Sequence, residues 1–312
     1  NPSENLGIPN HTPLGLDIRL ESYAWNYSYA DAFVILNYTF TNQSEDVIND
    51  LYAGIWVDPS IANFNYTDYY SPGGGFTWYD NLNGYDETLD LSGFTRDIAY
   101  QYDTDGDDGW AESYLGISIL GSSIDKKYLK SEYNQWVWTN SSNSDFPAYS
   151  MPINDNERYD KMSSTVPKGT GPEYTAEGYP ASENSWLFLM SAGPLGSLPN
   201  ADTTSWTLAP GDSCTISFVV VCAMWDDGAS GDSPLRREKM YVNYDWAQKA
   251  YETAINNNPN VEFNIIVKPD TDTDEQGKSL KDKSNVNYIY TKTKHGNIPK
   301  EFFSMESNNP IL

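Results

Sequence analysis

Histidine and cysteine are almost missing from this sequence. It has two of each: His11 and His295, Cys214 and Cys222. A zinc site built on imidazoles, or a Ser-His-Asp triad, would need both rare histidines well placed, and they lie near opposite ends of the chain. There is no Cys-x-x-Cys-His, which excludes c-type haem, and no P-loop or dinucleotide fingerprint, which leaves no sequence basis for a nucleotide. The Gly-Asp-Ser triplets at 211–213 and 231–233 read as a strand turn and a helix cap, not as a nucleophile elbow. No run of about 18 apolar residues occurs, so no segment is suited to membrane insertion as a helix. Basic residues are scarce too, 19 Lys+Arg against 44 Asp+Glu, for a net charge of −25. Such a surface repels phosphates and anionic lipids, which argues against nucleic acid as a partner and favours cations.

The two cysteines lie in Ser213–Trp225, a stretch that alternates as a strand and puts Cys214, Ile216, Phe218, Val220, Cys222 and Met224 on one face. Eight residues of strand span about 26 Å, whereas a disulfide needs Cα atoms within about 7 Å. The expectation is two unpaired, small, buried hydrophobes.

What is abundant is strand signal. At 312 residues and 39% hydrophobic, the chain can bury a large core. Period-2 runs rich in aromatic and β-branched residues occur at 16–25, 31–42, 51–58, 96–103, 113–121, 185–193, 205–209 and 213–225, with late ones at 261–268 and 286–292. One helix stands out, from Pro234 to about Ile255, with Ser233 as its N-cap and Met240, Ala247, Tyr251 and Ala254 along one stripe. Residues 140–183 carry little periodicity, and a structureless loop of that length inside a compact domain points to a functional excursion or an inserted layer. Without βαβ alternation, this pattern predicts an all-β fold: a large antiparallel two-sheet β-sandwich, Ig-like or jelly-roll-like, with one α-helix near the C-terminal end and extended terminal segments. The domain reading is an N-terminal arm at 1–12, a sandwich at 13–258 containing the 140–183 insertion, and a C-terminal extension at 259–312. Within that extension the tail from Lys278 on gathers Lys278, Lys281, Lys283, Lys292, Lys294 and Lys300 and is opposite in sign to the acidic body, which permits head-to-tail docking between copies.

The densest chemistry is in YQYDTDGDDGW, residues 101–111. Asp103, Asp105, Asp107 and Asp108 crowd one turn between two strands, and Glu112 follows. Calcium takes six to eight oxygens, and converging carboxylates at alternate positions suit it. The stretch is not an EF-hand: the sixth position, which needs Gly, is Asp108, and the twelfth, which needs Glu, is Tyr114. The bland alternative is a solvated acidic hairpin. A weaker calcium candidate is Asp270, Asp272 and Asp274, and a still weaker one is Asp226 with Asp227. A glycosidase pair would need only two carboxylates, and 44 acidic residues nominate none in particular.

Aromatics make up 14% of the chain. Tyr66, Tyr69, Tyr70, Trp78 and Tyr79, with Tyr85 beyond, cluster in one loop region, where planar rings could stack on sugars, form a protein interface or pack on the sandwich. Asn-x-Ser/Thr occurs at Asn10, Asn26, Asn37, Asn42, Asn65 and Asn140; each is a candidate glycan acceptor if the chain is exported. The sequence begins at Asn1 with no signal peptide, as an exported protein whose leader has been removed would.

Several stretches occur in fixed order: PLGLDIRLESYAWNY, DAFVILNYTFTN, DLYAGIWVDPSIAN, the Tyr-Asp-x-Asp-Gly-Asp turn, LAPGDSCTISFVVVCA and WAQKAYE. As a series they resemble a β-rich region of large secreted or surface-anchored bacterial proteins, many exported by the type IX route and mostly uncharacterised. The resemblance covers roughly residues 13–252. It implies export and a β-sandwich more than any activity. The tail after about residue 258 departs from the usual sorting tail of that group. Taken together, the expectation is a non-catalytic, calcium-stabilised extracellular protein of the cell surface. It would act in assembly or adhesion through self-association or another surface protein, in a filament or surface layer. The alternative is a carbohydrate-binding module or accessory part of a polysaccharide-degrading enzyme, with a glycan as partner.

Overall fold

The computed structural model describes residues 13–59, 61, 81–89, 95–106, 111–124, 128–137, 146–197, 206–225, 231–256, 262–266, 288–293 and 296–297. In chain order the elements are β1 (Leu16–Tyr23), β2 (Phe33–Asn42), β3 (Ile48–Asn49), β4 (Leu51–Val57), β5 (Asn81–Asp86), β6 (Ile98–Asp103), β7 (Ser113–Ser122), β8 (Lys130–Val137), α1 (Asp155–Ser163), β9 (Trp186–Leu195), β10 (Thr207–Leu208), β11 (Ser213–Met224) and α2 (Pro234–Ala250), which continues as a π-helical turn over Tyr251–Asn256. A separate hairpin pairs β12 (Glu262–Ile266) with β13 (Tyr288–Thr293), which in turn pairs with the short β14 (Gly296–Asn297).

The protein is mostly β, and its sheets are antiparallel. A six-stranded sheet runs β1-β2-β11-β7-β6-β5 and a three-stranded sheet runs β4-β9-β8. Alternation along the strands decides which side chains lie between the layers. Ile35, Val219, Val221 and Gly116 share the face on which α2 lies. Gly116 is needed there, because a Cβ would come within 2.8 Å of the Met240 sulfur and 3.1 Å of Val221. Tyr85, Ala99 and Ile117 share the opposite face, toward β9 and β8, where Tyr85 stacks on Tyr133 at 5.0 Å. Burial of both faces gives one continuous apolar cluster that spans the two sheets and α2.

Residues 146–183 form an outer layer. Its helix α1 lies on the outer face of the three-stranded sheet, where Met162 packs with Trp136, Leu187 and Leu189. Asn154 caps α1 by accepting the Glu157 N–H, and Glu157 reaches back to the Ile153 N–H, a reciprocal cap that lets a short polar helix form. The insertion also guards the edge strand β8: the Thr165 hydroxyl accepts the Tyr133 N–H, and the Val166 N–H donates to the Tyr133 carbonyl.

Three elements differ from the sequence expectation. Helix α1 is a second helix where one was expected. Strands β5 and β8 come from polar stretches with no clear period. The cysteines are unpaired, as the strand geometry requires, and Cys214 is buried, but Cys222 is exposed. The reason is that the three-stranded sheet is narrower than the sheet it covers. It packs against β5, β6 and β7 and leaves the same face of β1, β2 and the end of β11 open.

Candidate functional site

Two polar clusters adjoin at one end of the six-stranded sheet, where β6 leaves through the aspartate turn, β7 returns and α2 begins. Strand β6 ends in Asp103, which is only 1% exposed. Its Oδ1 accepts the backbone N–H groups of Asp105 at 3.1 Å and Gly106 at 2.6 Å, so the carboxylate folds the chain back on itself. Gly106 takes a left-handed φ of +70°, and its carbonyl accepts the Ala111 N–H at 2.9 Å. The Thr104 hydroxyl donates to Glu183 at 2.7 Å, and the Glu112 carbonyl accepts the Trp225 N–H at 3.0 Å. The turn joins two antiparallel strands, as expected, with Tyr102 opposite Tyr114. Asp107 and Asp108 lie outside the described residues. Among the described residues, no group of three or more His, Cys, Asp or Glu side chains is close enough to hold a metal ion. Asp103 therefore has a demonstrable part in shaping the turn.

The second cluster centres on Arg237, in the first turn of α2. Ser233 caps that helix by accepting the Arg236 N–H, with Pro234 following. The Arg237 side chain is 5% exposed and touches three carboxylates: Asp86 at 2.9 Å, Glu177 at 3.0 Å and Asp232 at 3.1 Å. Its guanidinium lies over the Tyr100 ring, 5.4 Å from the centroid. Tyr114 donates to Asp232 at 2.7 Å, Tyr100 donates to the other oxygen of Asp232 at 3.3 Å, and Tyr241 donates to Asp86. Burial pushes Asp86 and Asp232 above the usual carboxylate value, and the Arg237 charge pulls them back down. A second pair, Arg96 with Asp245 at 3.1 and 2.9 Å, ties the approach to β6 to the middle of α2, and Arg96 lies over the Tyr241 ring. The clusters touch at Gly231: a Cβ there would be 3.2 Å from the Thr104 carbonyl.

Chemically this arrangement holds and does not open. A carboxylate pair serving hydrolysis needs room for a glycosidic bond between acid and base. Here Arg237 fills the space among Asp86, Asp232 and Glu177. The sequence does contain a signal for the cluster. Arg236 and Arg237 sit at the N-terminal end of a helix, where the macrodipole disfavours cations, so nearby carboxylates are needed to hold them there.

The other expected site residues divide by position. Asp270, Asp272, Asp274, Asp226 and Asp227, the loop aromatics Tyr66, Tyr69, Tyr70, Trp78 and Tyr79, and the acceptors Asn10, Asn65 and Asn140 all lie outside the described residues. Tyr85 is in the core. Asn26 is exposed in the link between β1 and β2. Asn37 is on the polar face of β2, where it accepts from Ser217 at 2.7 Å. Asn42 departs from the acceptor reading. It is fully buried, its amide donates to the carbonyls of Asp46 and Leu208, and its oxygen accepts from the Ser44 N–H and hydroxyl, so in the folded chain its sequon is a turn clamp. A pocket of about 290 Å³ lies between α1 and the flanking loops, bordered by Asn134, Pro147, Met151, Lys161 and Thr165. There the Lys161 ammonium donates to the Ala148 carbonyl at 3.2 Å and lies 5.6 Å from the centroid of the Trp136 ring. Burial lowers its pKa.

No protein-family profile matches the chain. No curated protein matches it either. Among solved structures, the chain is similar to a polysaccharide lyase at a TM-score of 0.30 and 11% identity, over 70% of this chain and 22% of that one. The chain thus spans less than a quarter of the lyase. A likeness at this level assigns neither activity nor substrate. No helix among the described residues is long and apolar enough to cross a membrane.

Proposed function

We propose that this chain is a non-catalytic structural protein of the cell surface, acting outside the cell by assembly or adhesion and stiffened by calcium at the aspartate turn. One observation carries the reading. On the face of the six-stranded sheet turned toward the smaller sheet, the β1 edge is apolar and open: Ile18 is 56% exposed and Leu20 49%, beside half-buried Phe40 and Tyr38 of β2. Contiguous exposed apolar area on a β-sheet marks an interaction surface. The lysine-rich C-terminal sequence, opposite in sign to the acidic body, supports contact between copies. Export, by the type IX route or another, belongs to the same proposal. Light scattering of the full chain at high concentration with calcium should show species larger than a monomer. A monodisperse monomer under those conditions would overturn the assembly part.

The calcium part is supported by the sharp fold of the turn about Asp103 and by the closeness in sequence of Asp105, Asp107 and Asp108. Calorimetric titration should give saturable heat with calcium. The melting temperature should rise with it, by the equivalent of about 2.7 kcal/mol at a hundredfold excess over Kd. Both signals should vanish in Asp105→Asn combined with Asp107→Asn. If the wild-type chain gives no heat and melts at the same temperature in chelator, calcium has no part in this fold.

A second reading, a carbohydrate-binding module or accessory domain, is favoured by the exposed ring of Trp56, 47% accessible on β4, and by exposed Tyr128. Binding to soluble polysaccharide that weakens at least about tenfold in Trp56→Ala is the expected result on this reading. Unchanged binding would count against that ring.

A further inference from the structure

We propose that β1 pairs with β1 of a second copy of this chain, antiparallel about a two-fold axis at Leu20, joining two six-stranded sheets into one. The inference rests on the assembly reading and names its partner. Strand β1 is the edge of its sheet, with β2 its neighbour among the described residues. Register shows which backbone groups face outward. The Gln43 N–H donates to the Gly15 carbonyl, and those residues oppose each other one step beyond the Leu16–Asn42 pair. Hydrogen-bonded and non-hydrogen-bonded pairs alternate along an antiparallel ladder. Odd-numbered residues of β1 therefore bond to β2, and the N–H and C=O groups of Leu16, Ile18, Leu20 and Ser22 point away from the sheet.

Those groups can meet a second β1 in several registers, and side-chain charge selects among them. Asp17, Arg19 and Glu21 alternate in sign along one face. A two-fold axis at Arg19 would set Arg19 against Arg19 and Asp17 against Glu21, like charges throughout. An axis at Ile18 would set Asp17 against Arg19 but would keep only 16–20 of both copies within β1. An axis at Leu20 sets Arg19 against Glu21 of the other copy, twice by symmetry, and keeps 17–23 of both copies within β1, the longer ladder. On the opposite face it places Leu20 against Leu20 and Ile18 against Ser22, covering the exposed leucine and isoleucine. Opposite charges directly across a ladder stabilise it and like charges destabilise it. In the single chain Arg19 bonds to Glu21 of its own strand at 2.6 Å, a pair that the dimer exchanges for the same contact across the axis. Charges on an edge can also serve to repel other chains. The two roles differ in what a charge change does: changing a repelling charge promotes association, whereas changing a pairing charge weakens it.

The test is sedimentation equilibrium of the full chain and four variants, with circular dichroism to confirm the fold. Arg19→Glu should raise the dimer dissociation constant at least about tenfold, and Arg19→Glu with Glu21→Arg should restore it. Leu20→Pro should also dissociate the dimer while leaving the fold intact, because the Leu20 N–H faces outward and its loss costs no bond to β2. Leu20→Cys, in a Cys222→Ser background, should oxidise to a covalent dimer, since opposed Cα atoms of a hydrogen-bonded pair are about 5.5 Å apart. If the wild-type chain associates and neither Arg19→Glu nor Leu20→Pro weakens it, the β1 contact is overturned and the assembly reading stands. A wild-type chain that stays monomeric overturns both.

Discussion

Arg237→Met should cost about 3–5 kcal/mol of folding stability at pH 7, read from urea unfolding. Three carboxylates meet one guanidinium in a place nearly closed to water, and without it Asp86, Asp232 and Glu177 face one another uncompensated. The pH dependence identifies the cause. Burial holds Asp86 and Asp232 above the ordinary carboxylate value in the folded chain. A carboxyl whose folded pKa is raised binds protons more readily in the native state. Its contribution to stability is therefore fully present below the unfolded pKa and is lost as pH rises through the folded one. Removing Arg237 removes the charge that pulls both pKa values down, so it widens that window. The deficit of the variant should shrink as pH falls from neutral toward about 4, the unfolded aspartate value. Arg237→Lys should fall between the two, because one ammonium cannot reach three carboxylates in a fixed fork. A loss under about 1 kcal/mol, or a deficit flat in pH, would mean that the cluster does not pin α2 to the sheet.

Tyr133→Ala is expected to be about as damaging, at about 3–5 kcal/mol. Tyr133 lies on β8, fully buried, and its ring is what the two sheets share. It stacks on Tyr85 of β5 at 5.0 Å, meets Tyr179 edge-on at 5.1 Å and lies 6.5 Å from Phe188 of β9. Truncation would leave a ring-sized hole between layers that backbone pairing holds apart, so collapse is limited and the cavity cost remains. Tyr133→Phe should lose only about 1 kcal/mol, since it keeps the stack and gives up one hydrogen bond to Gln135. Thermal unfolding of the pair separates ring from hydroxyl. Equal losses would show that the buried hydrogen bond, and not inter-sheet packing, governs this point.

The strands that were legible in the sequence are those whose apolar and polar faces differ. Strands β2, β7 and β11 alternate because one face meets water or a polar row along part of its length, and the Ser233-Pro234 start of α2 carries its own chemistry. Strand β5 was not legible. NLNGYD reads as a turn, yet Asn83 and Gly84 each have a tertiary use. The Asn83 amide donates to the Leu187 carbonyl and its oxygen accepts from Gln101, and Gln101 also donates to the Trp186 carbonyl. These carbonyls lie near the start of β9, past the point where β4 stops at Val57 opposite Phe188. Gly84 is bare because a Cβ would come within 2.2 Å of the Tyr100 ring. Two arginines at the start of α2 signalled that carboxylates must lie near, but not which ones: the members come from residues 86, 100, 114, 177, 232 and 237, and nothing in their spacing joins them.

By itself the sequence determined an antiparallel β protein with one long helix and a sharp aspartate turn, since those follow from side-chain period, capping residues and turn chemistry acting over a few positions. Only the tertiary structure decided that the covering sheet is narrower than the sheet beneath it. That difference leaves Ile18, Leu20 and Cys222 exposed, and the strand order of the larger sheet puts β1 at its edge. Local pattern records that a strand has an apolar face; whether anything lies over that face depends on segments far away in the chain.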